Sequence, residues 1–173
     1  MSSTDETMEA LTSGVAEIGL VANPPIREMI VSTEVFRDTV VAAVAPSHPL
    51  AGRENLLLTE LAEFPLVLTE RSFGLRQRID RIFDRHAFSP RIFCVTNSLS
   101  LMKGIARFDH QCALLPRLAV ESEVAAGHLR AISIEEFARD QLVFCICVRH
   151  GRSISPASKV FSNAIIEFCQ RYN

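Results

Sequence analysis

No run of Lys or Arg in this sequence exceeds a pair, and the formal net charge is −2. Sequence-independent binding to nucleic acid needs a stripe of cations that neutralises phosphates, so this chain alone is not expected to grip DNA. It also lacks the ~18 consecutive apolar residues that a membrane-crossing helix requires. The opening, MSSTDETMEALTSG, is polar and acidic, without the basic and then apolar segments of a secretory signal. A soluble protein that stays in the cytoplasm is the expectation.

Catalytic and metal-binding patterns are missing as well. There is no GxSxG elbow, no GxxxxGK phosphate loop, no GxGxxG after a strand and no HExxH. Cys94, Cys112, Cys145, Cys147 and Cys169 are odd in number, contain no CxxC pair and lie in or beside apolar stretches. They read as reduced, buried thiols. His48, in VVAAVAPSHPLAG, has no neighbouring nucleophile or orienting polar group. Pro46 and Pro49 confine it to a turn, where it is expected to be solvated. His86, His110, His128 and His150 are single and scattered. No catalytic residue, no metal ligand and no cofactor is expected.

What the sequence does have is a core: 48% of its 173 residues are apolar and 22% charged, the profile of a folded globular domain. Residues 7–11 suit the end of a short helix that Gly14 stops. Strands are expected at 15–22 (VAEIGLVA, apolar enough to be buried on both faces), 30–35, 40–45, 66–69, 91–95, 111–116, 129–132 and 142–148. In ERSFGLRQRIDRIFDRHAF, Leu75, Ile79, Ile82 and Phe83 share one helical face, while Arg76, Arg78, Asp80, Arg81, Asp84 and Arg85 cover the rest. A short helical turn at 56–61 and helices at 99–108, 117–126 and 154–172 complete the alternation, the last with Val160, Phe161, Ala164, Ile165 and Phe168 inward. Alternating helices and continuous apolar strands predict an α/β fold with parallel-rich sheets covered on both faces.

Such sheets bind ligands beyond the carboxyl ends of their strands. Three polar clusters stand there: Asn23; residues 70–74 (ERSFG); and Asn97 with Ser98. Two of them open onto helix N-termini, at about Leu75 and Leu99, where free backbone N–H groups and the positive dipole end favour an anion such as a small carboxylate. Ser98 equally suits a helix cap and Ser72 a turn, and a cap at a cleft also faces a ligand.

The order of motifs AEIGLV, VVAAVAPSHPLAG, LTELAEFPLVL, SPRIFC, CALLP, EVAAGHLRAI and VRHGRSISPASKVFSNAI resembles the effector-binding domain of LysR-type transcriptional regulators over about residues 8–171. The resemblance implies the two-lobed fold of type 2 periplasmic solute-binding proteins, with a small-molecule inducer in the cleft between lobes. It places a first lobe at 1–45 and 143–173, incomplete at its start, and a second lobe at 46–142, with His48 a turn residue beside the hinge. It puts ligand contacts on Asn23, Ser72, Phe73, Gly74, Asn97 and Ser98. It also implies a homo-oligomeric parent protein, whose DNA-binding helix-turn-helix this chain lacks; the chain therefore reads as a fragment. RFDHQC stands where the family usually has a glycine pair, so the turn there must differ. Gly19 stands where an Asp or Ala often does. A free-standing solute-binding protein of the same fold, which the missing signal argues against, and an enzyme on a related scaffold, which lacks a nucleophile and base pair, are the competing readings.

Overall fold

The computed structural model describes residues 2–108 and 110–169, and these divide into two compact units. The larger comprises Asp38–Arg71 and Arg76–Gln141; the smaller comprises Ser2–Arg37, Ser72–Leu75 and the chain from Leu142 onward.

The smaller unit begins with α1 (Thr4–Ser13), opened by a capping box in which the Ser3 hydroxyl accepts the Glu6 N–H and the Glu6 carboxylate accepts the Ser3 N–H. Gly14, at φ 81°, closes it in the left-handed conformation. Its sheet has the order β1 (Ile18–Ala22), β9 (Leu142–Arg149), β2 (Ile30–Asp38). β1 and β9 run antiparallel, with Ile18 opposite Val148 and Ala22 opposite Phe144. Met8 and Leu11 of α1 pack with Val21, Cys145 and Cys147 to form the core. Leu20 points outward, so β1 is not buried on both faces as its apolar sequence suggested: α1 covers one side of a strand whose neighbour runs antiparallel.

In the larger unit, β3 (Val40–Val44) is buried at every residue. It lies inside a six-stranded sheet in the order β4 (Asn55–Leu56), β8 (Arg130–Ile134), β3, β7 (Cys112–Pro116), β5 (Leu66–Leu68), β6 (Ile92–Val95). β3 is antiparallel to both β7 and β8, whereas β4/β8, β5/β7 and β5/β6 are parallel. The sheets are thus mixed rather than parallel-rich. Met102 of α3 (Leu99–Ile105) and Val120 of α4 (Arg117–Ala125) pack with Val41, Ala43, Val67, Ala113 and Leu115. The alternate residues Ala42, Val44 and Leu114 are equally buried. Phe137, in the unforeseen short helix α5 (Glu135–Ala138), meets Phe83 of α2 (Gly74–Arg85) edge-on at 6.4 Å. The expected turn near 56–61 is a 3-10 helix at Leu58–Glu63.

The sequence reading put the passage between lobes at 45/46, whereas the contacts divide at Arg37/Asp38, because β3 has both of its partners in the larger unit. Asp38 marks that point: burial raises its pKa even though its carboxylate accepts the Thr39 and Leu118 N–H groups. Other expectations change for local reasons. His48 is buried, not solvated; its Nδ1 accepts the Leu50 N–H and its ring lies 4.7 Å from that of Phe64, so it is a turn residue folded inward. Arg76 is only 3% exposed, its guanidinium held by Asp80 at 2.7 Å and the Thr69 carbonyl at 2.9 Å. β6 is an edge strand with Ile92, Phe93 and Val95 exposed, and so is not covered on both faces.

In α6 (Pro156–Cys169) the expected inward face is mostly exposed, with only Ile165 of its five residues half-buried. Val160, Phe161 and Phe168 are 70%, 59% and 50% exposed and Ala164 is exposed, while Ser162 and Cys169 are buried. Helical spacing identifies an apolar face but not what covers it. The expected end of this helix at 170–172 lies outside the described residues.

The start of α6 is tied to the strand region by Glu17. Its Oε2 accepts the Ser155 and Ser158 hydroxyls at 2.6 and 2.5 Å and the Ser155 N–H at 3.1 Å. These bonds, the Ser155 hydroxyl first, pull its pKa from 4.5 to about 2. A depressed carboxylate stabilises the fold fully above its unfolded pKa and loses that contribution as pH falls through the folded one. Tm should therefore decline between pH 4.5 and 2, and Glu17→Gln should remove part of that decline. A Tm-against-pH curve identical in shape for both proteins would show that the Glu17 carboxylate contributes nothing.

Candidate functional site

The smaller unit brings together four of the residues singled out from the sequence. β1 ends at Ala22, and Asn23 follows at φ 48°, a left-handed conformation that Asn tolerates better than most residues. Its N–H donates to the Val143 carbonyl at 2.8 Å and its Oδ1 accepts the Val143 N–H at 2.9 Å, so Asn23 extends the β1/β9 ladder with its own side chain. The Nδ2 amide is buried and has no protein partner among the described residues. A donor left in this way costs ~1–3 kcal/mol unless something accepts from it.

Ser72, Phe73 and Gly74 belong to the same unit, although Arg71 and Arg76 on either side belong to the larger one. Gly74 opens α2 against the backbone of Ala22. A Cβ at Gly74 would collide with the Ala22 carbonyl oxygen, well inside van der Waals contact. The glycine is therefore required by close approach, not by backbone angle. Phe73 is buried and Ser72 half-buried.

Asn97 and Ser98 lie in the larger unit, at the end of β6, and both are exposed. The Ser98 hydroxyl accepts the Leu101 N–H at 3.3 Å and so caps α3, while its N–H donates to Thr96 Oγ1. The capping use seen in the sequence is thus realised. Beside them, the Thr96 N–H donates to the Leu68 carbonyl. Thr69, which follows Leu68, is fully buried with its hydroxyl unpartnered among the described residues.

Sequence reasoning missed two polar residues, Thr69 just after β5 and Thr4 at the start of α1. Thr69 was visible in LVLT but was read as part of a strand. Thr4, whose hydroxyl accepts the Gly74 N–H, carried no signal beyond its place near a helix start. Glu70 and Arg71 of the 70–74 cluster are exposed.

A groove of about 670 Å³ runs along the larger unit between α2 and the 88–92 segment, lined in part by Arg71, Arg81, Asp84, Phe88 and Pro90. None of the six expected ligand residues lines it. Three of its charges are grouped, since Asp80 binds Arg76 at 2.7 Å and lies 3.8 Å from Arg71. Among the described residues, no group of three or more His, Cys, Asp or Glu could hold a metal ion, and no helix is long and apolar enough to cross a membrane. All five cysteines are free, and burial pushes the Cys112 thiol up to about 12, which leaves it protonated and inert.

The packing of Gly74 on Ala22 yields a direct test. Gly74→Ala should destabilise the protein by ~1–3 kcal/mol through overpacking. Gly104→Ala, inside α3 where a Cβ meets nothing within 4 Å, should be neutral or stabilising by up to ~1 kcal/mol. Equal urea midpoints for the two variants would contradict the close approach at Gly74.

The family description "LysR substrate binding domain" fits residues 1–170. The RuBisCO operon transcriptional regulator of Allochromatium vinosum is 26% identical over 168 residues, which is 96% of this chain and 55% of that protein. The chain thus spans about half the length of the curated relatives it matches. Among solved structures, the effector-binding domain of QuiR in complex with shikimate superposes with a TM-score of 0.83 at 22% identity, covering 98% of this chain and 79% of that one. The Synechocystis PCC6803 CcmR regulatory domain in complex with 2-PG gives 0.84 at 19% identity, covering 97% and 80%.

Proposed function

This chain belongs to the LysR substrate-binding domain family, and we propose that it senses a small-molecule effector for a bacterial LysR-type transcriptional regulator. Its fold is the α/β, mixed-sheet, type 2 periplasmic-binding-protein-like fold of LysR effector-binding domains. The observation that carries the reading is the buried Asn23 amide, which has no protein partner among the described residues, placed where β1 ends and beside the packed 72–74 loop. A ligand that accepts from this group would satisfy it.

In this proposal Asn23, Ser72, Phe73 and Gly74 of the smaller unit contact the effector. Contacts from Asn97 and Ser98 of the larger unit belong to the same proposal. Hydroxyls, an amide and backbone N–H groups favour an organic acid. The QuiR neighbour holds shikimate and the CcmR neighbour 2-PG, which makes these two compounds the first probes.

No chemical step is needed. Effector binding shifts a pre-existing equilibrium of arrangements, and the regulator passes that shift to DNA. The relatives are transcriptional regulators, which accords with a sensor rather than an enzyme. Residence in the cytoplasm, homo-oligomerisation of the whole regulator and DNA contact through its remainder belong to the same proposal.

A thermal-shift panel of shikimate, 2-PG, other small organic acids, amino acids and aromatics tests it, because a ligand of the folded state raises Tm by mass action. A saturable rise is expected with an organic acid. Ser72→Ala and Ser98→Ala should each weaken binding by about tenfold, the equivalent of one hydrogen bond to a charged group. A cooperative melt that no compound moves would refute the reading.

A further inference from the structure

Helix α2 begins without a cap of its own. Gly74 is its first residue, and the residue before it, Phe73, has no polar side chain to accept a first-turn N–H. The acceptor comes instead from a residue seventy positions earlier: the Thr4 hydroxyl takes the Gly74 N–H at 2.9 Å in a buried hydrogen bond. The Thr4 backbone N–H donates to the Ser72 carbonyl at 3.2 Å. One residue therefore grips the chain on both sides of Phe73, while Ala22 closes the space behind Gly74. Thr4 is itself held rigidly, at 7% exposure, as the first helical residue after the Ser3/Glu6 capping box.

We propose that Thr4 is the positioning residue of the effector loop: its backbone and hydroxyl hold residues 72–74 in the conformation in which they meet ligand. The inference rests on the effector-sensing reading for the purpose of the loop, and on the two hydrogen bonds for its conformation. Its consequence is that the loop keeps its place in the smaller unit, although the chain before and after it belongs to the larger one.

The test separates the two layers. Amide hydrogen exchange is followed by NMR on the full chain without ligand, in the unaltered protein, Thr4→Val and Thr4→Ser. Gly74 should be protected in the unaltered protein. Thr4→Val, close in shape but without the hydroxyl, should speed its exchange by about tenfold or more, the loss of one buried hydrogen bond. Exchange along α3 should not change, and Thr4→Ser should restore the protection. Shikimate and 2-PG are then titrated into each protein. Whichever binds the unaltered chain should bind Thr4→Val about tenfold more weakly and Thr4→Ser nearly normally. An unprotected Gly74 in the unaltered protein overturns the proposal even if the valine variant fails to fold. So does unchanged Gly74 exchange in Thr4→Val, or faster exchange with unchanged affinity. If neither compound binds the unaltered chain, these two ligands are excluded as effectors, and Gly74 exchange alone decides the role of Thr4.

Discussion

Strand β9 must return across more than a hundred residues to lie beside β1, and the smaller unit depends on that closure. Asn23 and Val143 are separated by 120 positions and exchange two hydrogen bonds; Ser155 donates two more to the Glu17 carboxylate, 138 positions away. Without β9, β1 and β2 have no shared neighbour, and Met8 and Leu11 lose Cys145 and Cys147 from their core. Non-local pairing of this kind carries a loop-closure entropy that grows only slowly with length. Burial of the apolar strand faces is what offsets it. The larger unit, closed into its own sheet, is the insertion that this return makes possible.

Polar groups at the ends of strands serve the fold without using all of their hydrogen-bonding capacity. Ser98 caps α3 and Asn23 extends the β1/β9 ladder, yet the Asn23 amide and the Thr69 hydroxyl are left without protein partners among the described residues. By contrast, the charged side chains of α2 mostly satisfy one another. Arg76 is held by Asp80, and Arg78 and Arg85 converge on Asp140. Polar atoms at the strand ends are thus left less satisfied than most of the charged groups along α2.

The alternation of elements was legible because hydrophobic period and capping chemistry are local. Gly14 closes α1, Ser98 opens α3, and Leu75, Ile79, Ile82 and Phe83 are buried as their spacing required. Strand direction was not legible. CALLP and VVAAV are equally apolar whether their neighbours run parallel or antiparallel, and they pair antiparallel. Burial also failed where it depended on a partner: His48 turned inward onto Phe64, Arg76 found Asp80 and Thr69, and the apolar side of α6 stayed exposed. Of the candidate site, Asn23 and the 72–74 loop were marked by their place after strands. Thr4 was not, since nothing in SSTDE points to a residue seventy positions away.

The sequence by itself therefore determined most of the helices and strands, though not β4 or α5 and not every boundary, and that no metal or nucleophile motif is written into it. Those are properties of short windows, set by side-chain period, backbone preference and capping. The tertiary structure alone decided strand order and direction, the membership of residues 72–75 in the smaller unit, and the use of Thr4 to cap α2. These follow from which hydrogen-bonding groups and apolar surfaces meet when distant segments are brought together, and a close approach such as that of Gly74 to Ala22 exists only after they have met.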